Sequence, residues 1–212
     1  MSFDYNQNLV QNRIAATTND LNDILKNSAE NNTLCIVHLN IRSINKNFEE
    51  LEAFLQNISL APDVLVLSET WKIYDTSLFQ LKNYNSYYNN STKNQNDGLI
   101  IYIKSNLIQY SQISKINNTT FLNTTIKLKE NTIGITGVYR SPNENETYFL
   151  ESLESYLSDH CKLKNEVIIG DTNINTLQFG QRYIEDYKNL LAENGFIPLI
   201  TSPTRVAKTS SK

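Results

Sequence analysis

An acid and an amide two residues apart, Asp171 and Asn173, stand directly behind an apolar run, Val167-Ile168-Ile169, and a single glycine, Gly170. In extended chain, a period of two turns both side chains to the same side. A carboxylate and an amide so placed can hold a metal-associated water and a phosphate oxygen together. The same residue types also make ordinary turns. The run before them reads as a strand buried on both faces, and Gly170 lets the backbone turn without a Cβ penalty.

Three other apolar segments close on groups of related chemistry. Residues 33–39 end at Asn40, residues 63–67 run into Ser68-Glu69-Thr70-Trp71, and residues 132–139 end at Tyr139-Arg140-Ser141-Pro142. A carboxylate at the mouth of an apolar strand is costly unless it is paired or metal-bound. Singly, each group has a plain explanation: Asn40 as a cap, Glu69 as a surface acid, Tyr139 as a core residue with its hydroxyl in water. Together they call for one core, whose buried strands deliver their ends to a common rim.

The elements between these ends follow from hydrophobic spacing. Residues 1–31 form a polar, Asn-rich leader, expected to be loosely ordered, with a weak helical pattern at Leu21, Ile24 and Leu25. Asn47 as N-cap with Glu50 starts a helix carrying Phe48, Leu51, Leu55 and Ile58. The opening is therefore a strand–helix–strand unit with both mouths on one edge. Residues 75–97, with Tyr84, Tyr87 and Tyr88, read as loop. An antiparallel section follows, with strands at 98–104, 111–115, 121–129 and 132–139 and a turn at 129–131. Asn143 and Glu146 cap a helix with Phe149, Leu150, Leu153 and Leu157 on its buried face. After the Val167 strand, a helix over 179–193 carries Ile184, Tyr187, Leu190 and Leu191, closed by Asn194-Gly195. A short strand at 196–200 and a polar tail at 206–212 complete the chain.

Composition narrows the classes. A chain of 212 residues suits one sizeable domain, and 40% hydrophobic with 10% aromatic residues excludes global disorder. A net charge of -3 gives no broad basic footprint, so polyanion binding must rest on a local patch and a metal. Cys35 and Cys161 make no disulfide framework and read as reduced, packed thiols of an intracellular protein. No run approaches the ~20 apolar residues of a membrane span. Residues 1–12 lack the pattern of a signal peptide, so the sequon Asn118-Thr119-Thr120 carries little weight.

The ordered set Asn40, Ser68-Glu69-Thr70-Trp71, Gly137-Val138-Tyr139-Arg140-Ser141-Pro142 and Gly170-Asp171-Thr172-Asn173 resembles the endonuclease/exonuclease/phosphatase superfamily. Within it, the chain is most similar to the apurinic-endonuclease-like domains of non-LTR retrotransposons, a likeness shared by Leu39-Asn40-Ile41-Arg42-Ser43 and Pro203-Thr204-Arg205. The resemblance covers about residues 33–205, so the domain is set at 32–205. It implies an α/β fold, a four-layer, deoxyribonuclease I-like sandwich of two sheets with helices outside, and Mg²⁺ or Mn²⁺ as cofactor. Carried over, Glu69 and Asn40 lie in the metal shell, with Glu69 the main ligand. Asp171 orients or deprotonates the attacking water, Asn173 holds it with a phosphate oxygen, and Tyr139 donates to the phosphate. Arg140 and Arg205 become phosphate contacts, with solvated surface arginine as the competing explanation. The implied reaction is hydrolysis of a DNA phosphodiester in the nucleus, beside a reverse transcriptase domain of a longer polyprotein.

The chain departs from the superfamily pattern in three places. That pattern closes with a late-strand Asp and a Ser-Asp-His group, neither of which occurs in residues 206–212. Ser158-Asp159-His160 precedes the Val167 strand and reads as the C-terminal end of a helix, where a histidine suits the dipole. The expectation is a sandwich lacking its C-terminal strands, with sheet edge exposed. Thr172 stands where relatives carry an aromatic. His38, two residues before Asn40, reads as a core or supporting residue. The alternatives to a nuclease are a weak or inactive remnant, a metal-free interaction module, and a phosphatase of the same superfamily.

Overall fold

The computed structural model describes residues 18–30, 33–58, 60–89, 95–116, 119–128, 131–160, 163–178 and 180–200. Their strands form two four-stranded mixed sheets. The first joins β1 (Ile36–Asn40), β2 (Val64–Ser68), β4 (Leu99–Lys104) and β3 (Tyr84–Asn89) in that order. The second joins β5 (Ile108–Ile116), β6 (Thr119–Lys127), β7 (Thr132–Tyr139) and β8 (Asn165–Asp171). Helix α2 (Ile44–Asn57) covers the outside of the first sheet through Ile44 and Leu51, against Leu65, Leu67, Ile100 and Tyr102. Helices α3 (Glu146–His160) and α4 (Arg182–Glu193) cover the second through Phe149, Leu153, Tyr156, Tyr187 and Leu191. Four layers result, as the resemblance implied.

Alternation decides what lies between the sheets. Val64 and Val66 of β2, and Leu99, Ile101 and Ile103 of β4, face Leu122, Ile126 and Ile135 of the other sheet. Their neighbours in the chain face the helices, so β2 is apolar through Leu67 and β4 through Ile103, with Ser68 and Lys104 closing them. The same parity carries Asn40, Ser68, Tyr139 and Asp171 to the inner face at one end of the sandwich. Two glycines allow close approach there, one between the sheets and one between neighbouring strands. An added Cβ on Gly137 would lie 3.3 Å from a Val66 methyl of the opposite sheet. A Cβ on Gly170 would run into the Val138 backbone carbonyl of the neighbouring strand. Since backbone cannot give way as a side chain can, Gly170→Ala should lower stability by about 1–3 kcal/mol. Urea unfolding measures this; a variant as stable as the parent would refute the close approach.

The structure departs from the expected elements at several points. Strands β1 and β8 are not buried on both faces: each ends its sheet, and β8 is half-buried from Glu166 to Asp171. An apolar run marks a strand without telling centre from edge. Residues 84–89 form strand β3, not loop, because their tyrosines suit an edge strand paired to β4 despite the polar spacing. Helix α2 begins at Ile44, with Asn47 instead donating to the Ile41 carbonyl at 2.7 Å. The amides of Thr147 and Tyr148 are held by Asn145, not Asn143. Residues 196–200 make no strand, and Ile197 is 81% exposed. Within the expected leader, Thr18–Glu30 forms helix α1 with Leu25 buried. Cys35 is a free, half-buried thiol, whereas Cys161, the Lys129-Glu130 turn residues and Arg205 lie outside the described residues. No helix among the described residues is long and apolar enough to cross a membrane.

Candidate active site

Four strand ends meet at one rim. Strand β1 runs parallel to β2, and β7 parallel to β8, so all four stop at their C-terminal ends there. The Asn40 side-chain amide donates to Glu69 Oε1 at 2.7 Å and to Asp171 Oδ2 at 3.1 Å. Only an amide N–H pair can serve two carboxylates in this way, which sets the orientation of the group. Asp171 Oδ1 in turn accepts from the Asn173 backbone N–H at 3.1 Å. Asn40, Glu69 and Asp171, separated by up to 131 positions along the chain, thus form one hydrogen-bonded set.

The loops beyond these ends are strained and stitched together. Six non-glycine residues among those described have positive φ, and Arg42, Ser43, Glu69, Trp71 and Asn173 are five of them. Left-handed backbone costs on the order of 1 kcal/mol at such a residue and persists only where surroundings enforce it. Here Ser43 N–H donates to the Glu69 carbonyl at 2.8 Å, Ile44 N–H to Thr70 at 3.0 Å, and Trp71 N–H to Asp97 at 2.8 Å. At Asn173, with φ 51, the period-of-two argument fails, because β8 has already ended at Asp171. Its side-chain amide donates to the Arg140 carbonyl at 2.8 Å.

Tyr139 pairs with Asp171 across the β7–β8 ladder. Burial pushes its phenol well above the ordinary tyrosine value, and the Glu69, Asp97 and Asp171 carboxylates add to the effect. It therefore stays protonated, a neutral donor beside three acids. Asp97, 3% exposed, is the residue that sequence reasoning passed over. It sits at the entrance of β4, and because β4 runs antiparallel to β2, that entrance lies at the same rim. The available signal was an acid set flush against an apolar strand, the same signal Glu69 carries. His38 reaches Ser68 Oγ with Nε2 at 2.9 Å. Burial lowers its pKa while Asp171 pulls it back up.

Arg140 does not reach outward to a phosphate. Its side chain is only 2% exposed. The guanidinium donates to the carbonyls of Thr172 at 3.1 Å, Asn173 at 3.2 Å and Glu144 at 2.8 Å. It also meets the Glu146 carboxylate at 3.2 Å and lies over the Phe149 ring. Its planar fork is spent on holding the 171–173 turn from within, an arrangement set by the β7–β8 pairing. Ser158-Asp159-His160 closes α3, with His160 stacked on Tyr156.

The oxygen set fits a hard cation. Glu69 Oε1 and Asp171 Oδ2 are at most about 6 Å apart, since both touch one nitrogen, and Mg²⁺ takes one or two carboxylates while keeping waters. Asn40 Oδ1 is buried without a hydrogen-bond partner, a costly state that a cation relieves. Among the described residues, no group of three or more His, Cys, Asp or Glu side chains suited to a metal occurs. The set is therefore two carboxylates and an amide.

Two mixed sheets face to face, helices outside, and polar strand ends at one rim make this a deoxyribonuclease I-like α/β sandwich, the fold of the endonuclease/exonuclease/phosphatase superfamily. The endonuclease domain of TRAS1, a telomere-specific non-LTR retrotransposon, superposes with a TM-score of 0.58 at 12% identity, over 76% of this chain and 72% of that one. An AP endonuclease from Archaeoglobus fulgidus gives 0.56 at 17% identity, over 76% and 71%. The 3' phosphatase NExo from Neisseria, bound to a product DNA hairpin, gives 0.54 at 14% identity, over 76% and 71%. At such identities the likeness is one of fold. Comparison with protein-family models and with curated proteins finds no match.

Proposed function

We propose that this chain is a divalent-metal-dependent phosphodiesterase that nicks DNA. The observation carrying this reading is the Asn40 amide, clamped between carboxylates that arrive from two different sheets. Glu69 and Asn40 are the residues to hold Mg²⁺ or Mn²⁺, with the buried, unpartnered Asn40 Oδ1 available to it. Bound there, the ion supplies positive charge against the phosphate and the departing oxygen. Asp171, oriented from both of its oxygens, takes the proton of the attacking water. Asn173 holds that water and a phosphate oxygen, and Tyr139 donates as charge builds on the phosphate. Arg140 acts through the backbone of the turn, and Arg205 is retained as a phosphate contact on sequence grounds alone.

We further read the chain as the endonuclease part of a non-LTR retrotransposon polyprotein, working in the nucleus to open DNA for a reverse transcriptase domain. The order of its motifs and its likeness in fold to the TRAS1 endonuclease domain support this. The test is conversion of supercoiled plasmid to open circles with Mg²⁺ or Mn²⁺ and its arrest by EDTA. A folded protein that leaves plasmid intact but releases phosphate from monoesters would identify a phosphatase instead; one inert on both would be a remnant or interaction module. Tyr139→Phe removes one donor while keeping the ring, so nicking should fall by roughly 10²-fold with stability little changed. Undiminished nicking would remove Tyr139 from the chemistry.

A further inference from the structure

Beside the acidic rim lies a strip of opposite character. Just past β1 and β2, and on the first turn of α2, come Arg42, Lys46, Trp71, Lys72 and Tyr74. Three are cations, all exposed, in a chain whose net charge is -3. The Lys46 ammonium lies 5.4 Å from the centre of the Trp71 ring, and that of Lys72 lies 4.9 Å from the centre of the Tyr74 ring. Tyr74 is 85% exposed. Asp75, the nearest acid in sequence, folds back onto Ser77, whose backbone N–H and hydroxyl both donate to it. The strip is anchored: Asn45 donates to the Lys72 carbonyl at 3.0 Å, Lys72 N–H donates to Gln95 at 3.1 Å, and Ile73 is buried between its exposed neighbours. Tyr74 follows Glu69 by five residues, so its Cα stands no more than about 18 Å from that of Glu69.

We propose that this strip is a stacking platform for an unpaired nucleic-acid segment next to the scissile phosphate. An exposed aromatic ring with a lysine on one face leaves the other face for a base, and Lys72, Lys46 and Arg42 lie where a phosphate backbone would pass. A surface built only to grip duplex backbone has no use for an exposed ring, because bases in duplex are stacked on one another. The strip thereby biases the enzyme toward DNA with single-stranded or frayed character beside the cut. The inference rests on the nuclease reading for its purpose, but its binding test does not depend on catalysis.

The experiment measures fluorescence anisotropy of a labelled oligothymidylate and of a blunt duplex in EDTA, so that no bond is cut. Tyr74→Ala should weaken single-strand binding roughly 5- to 100-fold with a much smaller change for duplex, and Tyr74→Phe should restore it. Lys72→Met should lower the slope of log affinity against log salt by about 0.7 on single strand. Equal loss on both DNAs, no loss in Tyr74→Ala, or a parent protein that binds no oligonucleotide overturns the platform; the last outcome would leave the strip as a protein-docking surface. Hydrolysis of bis(4-nitrophenyl) phosphate by the parent with Mn²⁺ reports the catalytic reading separately. Strand binding lost in Tyr74→Ala alongside an inert parent keeps the platform and rejects the active site; the converse result does the opposite.

Discussion

Replacing Asp171 with alanine should reduce metal-dependent plasmid nicking by about 10³-fold or more while leaving the domain folded, as general-base loss alone accounts for roughly 10²–10⁴. The size follows from how many parts the carboxylate joins. One oxygen holds the Asn173 backbone and the other the Asn40 amide. Truncation removes the proton acceptor, frees the 171–173 turn, and leaves Asn40 tied to Glu69 alone. Misplacement of water and phosphate then adds to the loss of the base. The fold survives because Asp171 is half-buried at the last position of an edge strand. Its backbone carbonyl keeps its bond from Arg140 N–H, at 3.0 Å. Asp171→Asn, which keeps the shape and loses the charge, should be nearly as inactive. Circular dichroism confirms folding, and gel conversion of supercoiled plasmid measures the rate. Nicking by Asp171→Ala within a few-fold of the parent would end the proposed mechanism.

The largest effect on stability is expected at Arg140. Alanine there strips partners from the carbonyls of Thr172, Asn173 and Glu144, and empties space against Phe149. Glu146 is 45% exposed, so water screens its ion pair and little of the loss comes from it. The loss is dominated by the buried Glu144 carbonyl and the part-buried carbonyls of Thr172 and Asn173, left without a donor, together with the emptied space, and the total should be about 3–5 kcal/mol. That is a large part of the roughly 5–15 kcal/mol typical of a domain. Arg140→Lys should recover only part, since one ammonium on a flexible stem cannot span three carbonyls as the planar fork does. Urea unfolding followed by circular dichroism gives the numbers. A loss below about 0.5 kcal/mol, the behaviour of a surface arginine, would contradict the buried bracket. The surviving folded fraction should also nick poorly, because the turn under Asp171 loses its support.

Much of the sandwich was legible as pattern. Strands β2, β4 and β7 and helices α3 and α4 announce themselves by period, and their burial follows. Strand β3 was not legible, because its tyrosines alternate too weakly with polar residues to stand apart from a loop. The standing of β1 and β8 as edges was equally hidden: a β-branched run has the same composition whether one neighbour or two lie beside it. Asn40, Glu69, Tyr139 and Asp171 stand out in the sequence by their position at strand ends, and the structure brings those ends to one rim. Asp97 was missed because only C-terminal ends were searched, and an antiparallel strand brings its beginning to the same rim. Arg140 reads from sequence as a ligand contact because it stands next to a site, whereas its two terminal nitrogens are held by three backbone carbonyls and the Glu146 carboxylate of its own domain.

The amino-acid order by itself determined which groups stand at the ends of apolar strands, because hydrophobic period and chain reversal are local properties written in consecutive residues. Only the tertiary structure decided that Asn40 bridges Glu69 and Asp171, that Asp97 comes near Tyr139 at the same rim, and that Arg140 turns inward. Those outcomes depend on strand order and on which sheet edge faces which, and pairings between residues up to 131 positions apart leave no trace in neighbouring side chains.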